Sequence, residues 1–166
     1  MGPELPTSPP PGADSWGDWD VGLMRRCLRL ARAAGRRGEV PVGALVEKEG
    51  RVLGVGSNRV EVGRDASRHA ELLALQAASR RVGGWRLDGA TLYSTLEPCP
   101  MCAGAALLAR VSRVVYGAVD PRKGADRSVY DVLSNPGGNH HPLVSGGCLA
   151  PESAALLQGF FQRLRQ

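Results

Sequence analysis

Three side chains in this sequence have the types and spacing of metal ligands. His69-Ala70-Glu71 is followed by Pro98-Cys99-Pro100-Met101-Cys102, an H-x-E and a P-C-x-x-C. One imidazole and two thiolates hold a zinc ion on three sides and leave the fourth tetrahedral position open, as in catalytic rather than structural sites. Sulfur and imidazole donors favour zinc over magnesium or calcium. A closed structural site needs a fourth ligand, and the remaining candidates, Cys27, Cys148, His140 and His141, show no finger-like pairing. Glu71, two residues past His69, is either an ordinary helix-surface carboxylate or a group that reaches a water in the open position. Beside a metal it can take a proton from that water and pass it on, because coordination brings the pKa of water toward neutrality. Such a nucleophile suits an electron-poor carbon bearing an amino group. Glu71 would protonate the ring nitrogen and then the leaving amine, giving a carbonyl and ammonia.

These residues need elements that hold them. Leu23, Cys27, Leu30 and Ala34 recur at helical spacing, with Arg25, Arg29, Arg32 and Arg36 on another face, so residues 18–36 are predicted as a helix. The arginine row is a solvated face or an RNA-facing one. Val40–Glu47 and Arg51–Gly56 read as a hairpin turning at Glu49-Gly50. Ser57–Arg68 reads as a polar loop, with Ser67 as the N-cap of a helix from His69 to Arg81 that Gly83-Gly84 stops. Thr91–Thr95 is a strand. Pro100 opens a helix through Arg110. Val111–Tyr116 is a further strand, and a loop-rich stretch follows with one helical turn near Val129–Leu133. Leu143–Val144 is a last short strand. Pro151–Arg165 closes the chain as a helix, with Phe160 and Phe161 on its core side. The alternation predicts an α/β sandwich, a mixed sheet with helices on both faces. Both metal segments then fall at helix N-termini, whose positive dipole ends favour thiolates.

The chain has 166 residues and is 43% hydrophobic, enough for one domain with a core. Residues 1–17 are rich in Pro and Gly and are predicted as a disordered tail, leaving residues 18–166 as the domain. Trp16 and Trp19 are candidate anchors for the tail's end. No stretch approaches the roughly 18 unbroken apolar residues of a membrane span, and no secretory signal is evident, so a cytoplasmic protein without a membrane partner is expected. Cys27 and Cys148 read as small core residues. Net charge is +5, but residues 1–20 hold Glu4, Asp14, Asp18 and Asp20 and no Lys or Arg. The rest, with 21 basic and 12 acidic residues, carries +9. This charge suits an anionic partner such as nucleic acid, or simply a soluble surface.

With these residues in view, the sequence resembles the zinc-dependent nucleobase deaminases, and within them the bacterial tRNA adenosine deaminases. The likeness runs from about Trp19 to Arg163. It is carried by Glu39-Val40-Pro41-Val42-Gly43-Ala44, Ser57-Asn58-Arg59, His69-Ala70-Glu71 and Thr95 through Ala105, and by Asp131-Val132-Leu133 and Asn139-His140. The zinc motifs alone equally match deaminases of free guanine or cytidine. The stretches Arg113–Ala118, Asp131–Leu133 and Pro136–His140 point to the tRNA enzymes. The signature and its mechanism are general to base-modifying zinc deaminases. The resemblance implies a three-layer α/β/α sandwich around a five-stranded mixed sheet, cytidine-deaminase-like, in a homodimer. It implies one zinc per subunit on His69, Cys99 and Cys102, with Glu71 as proton shuttle. It implies conversion of adenosine to inosine at the wobble position of an arginine tRNA, the base splayed from the anticodon loop. Asn58, Asp120 and Asn139 match substrate- or loop-facing positions. One departure stands out: Arg127 occupies a position where relatives carry glycine, which suits a left-handed backbone that arginine adopts only at a cost.

Overall fold

The structure, a computed structural model, describes residues 16–166. Helix α1 (Asp18–Arg36) leads into a hairpin of β1 (Gly43–Lys48) and β2 (Arg51–Ser57). A short helix α2 (Val60–Gly63) precedes α3 (Ala70–Val82), β3 (Thr91–Leu96), α4 (Pro100–Leu108) and β4 (Arg113–Ala118). Strand β5 (Leu143–Gly146) and helix α5 (Ala150–Leu164) complete the order. The strands form one sheet, β2-β1-β3-β4-β5. Strand β1 is antiparallel to both β2 and β3, whereas β4 is parallel to β3 and β5.

Alternation along the central strands produces the layers, because successive side chains leave a strand on opposite faces. Ala44, Val46, Leu92 and Val114 point into a core closed by Ala74 and Ala78 of α3 and Ala103 and Ala106 of α4. Leu45, Tyr93 and Val115 point the other way, against Leu23, Met24 and Cys27 of α1. Helix α5 joins α1 on that face, with the Ser153 hydroxyl against Gly117. The result is the predicted α/β/α sandwich with a five-stranded mixed sheet. Trp16 packs onto the α1-side core, whereas Trp19 is exposed. The rest of the predicted tail, residues 1–15, lies outside the described residues.

Two local features bring the metal segments to one place. A Cβ on Gly56 would fall on the Ala70 carbonyl and the Ala74 amide, so glycine lets the first turn of α3 lie directly on β2. Pro100 at the first helical turn fixes where α4 departs from β3. On the opposite face, Asp20 of α1 accepts from both terminal nitrogens of Arg113, at 2.8 and 2.9 Å, and from the Tyr93 hydroxyl at 2.7 Å. This buried network pins α1 across the sheet.

Several local expectations are corrected. The loop Ser57–Arg68 contains α2, whose Glu61 and Val62 amides donate to the Glu39 carboxylate at 3.1 and 2.8 Å; the partner lies more than twenty residues away. Ser67 caps nothing, because its hydroxyl and amide bond Asp65 instead. Helix α4 stops at Leu108, and Arg110 takes φ +64°. No helical turn forms near Val129–Leu133; the Val132 and Leu133 amides donate instead to the Ala125 carbonyl. Phe160 is buried, but Phe161 is 38% exposed.

Candidate active site

His69 is the N-cap of α3 and Cys99 the N-cap of α4; both have extended backbones that turn into their helices. Cys102 lies in the first turn of α4, on the same side as Cys99. The Sγ atoms of Cys99 and Cys102 each stand 3.5 Å from His69 Nδ1. All three ligand atoms lie within 4.8 Å of one another. Tetrahedral zinc, with Zn–S of about 2.3 Å and Zn–N of about 2.0–2.1 Å, separates sulfur from nitrogen by about 3.5 Å. The three residues therefore fit zinc in both chemistry and spacing. A hydrogen bond from the Cys102 thiol, helped by His69, lowers the Cys99 pKa to about 4 despite burial. Cys102 is pushed upward by sharing its proton with Cys99 and by burial. The hydrogen bond to Cys99 raises His69. The two helix N-termini add positive potential at the same point.

Glu71 is the second residue of α3 and only 4% exposed. Burial raises the pKa of its carboxyl. The Ser94 hydroxyl, from β3, donates to Glu71 Oε1 at 3.3 Å. A carboxyl so placed holds a proton more readily than one in water, which suits a group that must accept and return one. Ser94 carries no signal in the sequence: it reads as a small residue in a strand, and only the pairing of β3 with β1 beneath α3 brings it to Glu71.

Glu71, His69 and Cys99 open onto a cleft of about 1110 Å³. Asn58 lines it, 8% exposed, and its Oδ1 accepts from the Ala70 amide at 2.9 Å. Asp120 also lines it; its Oδ1 accepts from the Arg122 and Lys123 amides at 2.9 and 3.2 Å, closing a tight turn. Asn139 does not line the cleft within this single chain. It is exposed, and its Oδ1 accepts from Arg110 at 3.2 Å. His140 lies apart from the metal cluster, with Nε2 2.6 Å from the Val111 carbonyl.

Two carboxylates without a role in the expectations above shape the cleft. Glu39 and Glu97 both line it, each 1% exposed. Glu39 holds α2 on one side. Glu97 holds the loop on the other, accepting from the Asp120 and Asp126 amides, each at 2.9 Å, and from the Ser128 hydroxyl at 2.6 Å. A Cβ on Gly124 would strike the Glu97 carboxylate. Their only signal in the sequence is proximity to the motifs, Glu39 two residues before Pro41 and Glu97 two before Cys99. In the same loop Arg127 has φ +69°, the left-handed conformation foreseen there.

Comparisons with known proteins agree with this geometry. Residues 17–118 match the family described as the cytidine and deoxycytidylate deaminase zinc-binding region. The tRNA-specific adenosine deaminase of Bacillus subtilis is 41% identical over 143 residues, covering 86% of this chain and 89% of that protein. A tRNA(Ile)-lysidine synthase of Deinococcus deserti is 51% identical over 144 residues, but this chain spans 27% of its length. A structure solved in work on A-to-I editing by tRNA:A34 deaminases superposes with a TM-score of 0.79 at 43% identity, covering 82% of this chain and 99% of that one. With its H-x-E and P-C-x-x-C segments folded onto one zinc-sized site, the chain belongs to the zinc-dependent cytidine and deoxycytidylate deaminase family, among the relatives of the tRNA-specific adenosine deaminases.

Proposed function

We propose that this protein hydrolytically deaminates adenosine to inosine at the wobble position of an arginine tRNA anticodon. The observation that carries this reading is the zinc-spaced trio beside a buried carboxyl, in a chain 41% identical to a tRNA-specific adenosine deaminase. His69, Cys99 and Cys102 hold the zinc. When bound, zinc supplies a Lewis acid that activates water. Glu71 carries the proton, first to the ring nitrogen of the base and then to the leaving amine. Ser94 holds the Glu71 carboxyl toward the cleft. Asn58, whose Oδ1 is engaged by Ala70, keeps its amide NH2 for the substrate. Asp120 and Asn139 face the anticodon loop. A cleft of about 1110 Å³ exceeds what a free base fills and suits a nucleotide with its flanking backbone.

The domain spans residues 18–166, after a tail of 1–17. It works as a homodimer. Helix α4 carries no charged side chain, yet Met101 is 39% and Leu108 73% exposed, an apolar face that a second copy would cover. None of the four cysteines forms a disulfide, which suits the reducing cytoplasm, and no helix among the described residues is long and apolar enough to cross a membrane.

The test is to incubate the zinc-loaded protein with arginine tRNA and, separately, with free adenosine, guanine and cytidine. Inosine in the tRNA alone is the expected result. Ammonia from a free base without any tRNA product would overturn the proposal in favour of a free-base or nucleoside deaminase.

A further inference from the structure

A second cavity, of about 400 Å³, lies between α1 and α5, apart from the zinc cleft. Arg32 and Arg36 enter it from α1, one turn apart, and Arg163 from the last turn of α5. Gly35, Pro41 and Leu156 form its apolar floor. The Arg163 guanidinium folds back along its own helix, so that a Cβ on Gly159 would sit 3.5 Å from Nη1. Among the described residues, the ion pairs are Arg86–Asp88 and Arg113–Asp20; none involves these three arginines. Neighbouring Arg37 is different. It donates to the Ala33 and Asn58 carbonyls and to the Ser57 hydroxyl, and so belongs to the scaffold.

The three arginines are exposed around an apolar floor and have no carboxylate partner, so their charges are free to meet an anion. Their planar forks match phosphate oxygens. The groove also adjoins the cleft. Val40 and Leu157 line the cleft, and their chain neighbours Pro41 and Leu156 line the groove. Arg163 points into the groove, while Leu164 and Arg165 border the cleft. A strand of RNA that left the cleft across the end of α5 would meet the groove next.

We propose that the groove lined by Arg32, Arg36 and Arg163 binds a backbone phosphate of the RNA substrate, beyond the nucleotide held in the cleft. The inference rests on the reading of the protein as an RNA deaminase and deepens it.

The experiment measures the Kd of zinc-loaded full-length protein for a fluorescent anticodon stem-loop over a salt series, alongside inosine formation by the unaltered protein. The variant R32Q/R36Q/R163Q removes the charges. Gly35→Leu keeps them and fills the floor of the groove. R25Q/R29Q removes two arginines of α1 that do not line it. Binding by the triple variant should weaken about tenfold or more, and log Kd against log salt should become shallower by about one. Gly35→Leu should also weaken binding, and R25Q/R29Q should weaken it least. Equal weakening by R25Q/R29Q, or unchanged binding by the triple variant, overturns the groove. Free phosphate at millimolar concentration should compete weakly; competition as strong as that of the RNA would mark a small-anion site and overturn the RNA assignment. Absence of inosine with the unaltered protein would count against the proposed reaction, while the Kd comparison would still decide the groove.

Discussion

The side-chain oxygen of Asn58 accepts a hydrogen bond from the backbone amide of Ala70 at 2.9 Å, across the junction between β2 and α3. Asn58 thus does for α3 what an N-cap side chain does, from outside the helix, and it fixes the turn in which His69 and Glu71 sit. Loss of such a cap costs about 1 kcal/mol. Asn58→Ala should therefore lower stability by about that amount and also reduce deamination. Asn58→Asp keeps the acceptor but removes the NH2 donor, so it should fold nearly as stably while losing activity. Full activity in Asn58→Asp, by an inosine assay beside thermal melts, would show that the residue acts only as a cap.

Glu71→Gln should retain zinc and fold, because His69, Cys99 and Cys102 remain, and its turnover should fall by about 10²–10⁴-fold through loss of the proton carrier. Cys99→Ala should lose the metal and much stability, since zinc binding is coupled to folding. Metal analysis of both proteins separates the roles. A fully zinc-loaded Cys99→Ala protein would refute the ligand assignment.

Glu97 ties the Asp120–Ser128 loop to the segment bearing Cys99. Truncation to alanine leaves three donors without their carboxylate acceptor, each such bond being worth about 1.5–3 kcal/mol, so a loss of roughly 4 kcal/mol or more is expected. Because Asp120 hangs from the same carboxylate, kcat/KM for tRNA should fall even where the protein is folded and zinc-replete. Hydrogen exchange should locate the loosening in residues 119–128; uniform exchange across the chain would argue against a local anchor.

Glu47 provides a pH test away from the metal. Burial raises its carboxyl above the ordinary value of 4.5, partly offset by the Gly50 amide that donates to Oε1 at 2.6 Å. The folded state therefore binds this proton more tightly than the unfolded state. The contribution is favourable below the unfolded pKa and is lost as pH rises through the folded one. Glu47→Gln, which never ionises and can still accept from Gly50, should match the unaltered protein in acid and become the more stable one as pH rises past 4.5. Denaturant unfolding at acid and neutral pH checks the sign; an advantage in acid that vanishes at neutrality would contradict it.

Arg127 holds φ +69°, a left-handed conformation that costs a non-glycine residue about 1–2 kcal/mol. Arg127→Gly removes that cost but adds about 0.5–1 kcal/mol of unfolded-state freedom. The net expectation is stabilisation of up to about 1 kcal/mol, readable as a rise in Tm. A drop in Tm would mean that the arginine side chain contributes contacts that outweigh the strain.

Local patterns determined much of this protein. Val- and Leu-rich β-like runs alternating with helical segments predicted a sheet between helices, and the predicted span of α1 coincides with Asp18–Arg36. Zinc ligation was legible because donor type and spacing limit the metal before any fold is known. The resemblance marked position 127 as one where relatives carry glycine, and Arg127 there takes φ +69°. What tertiary structure alone decided depends on partners distant in the chain. Glu39 reaches α2 across about twenty residues, Ser94 reaches Glu71 across the sheet, and Glu97 gathers a loop that sequence would have given one helical turn. Asp120 and Asn139 matched equally well as loop-facing positions, yet only Asp120 lines the cleft of the single chain. A buried carboxylate looks like any other until the amides that need it are folded around it, and that desolvated match fixes the shape of the cleft above His69, Cys99 and Cys102.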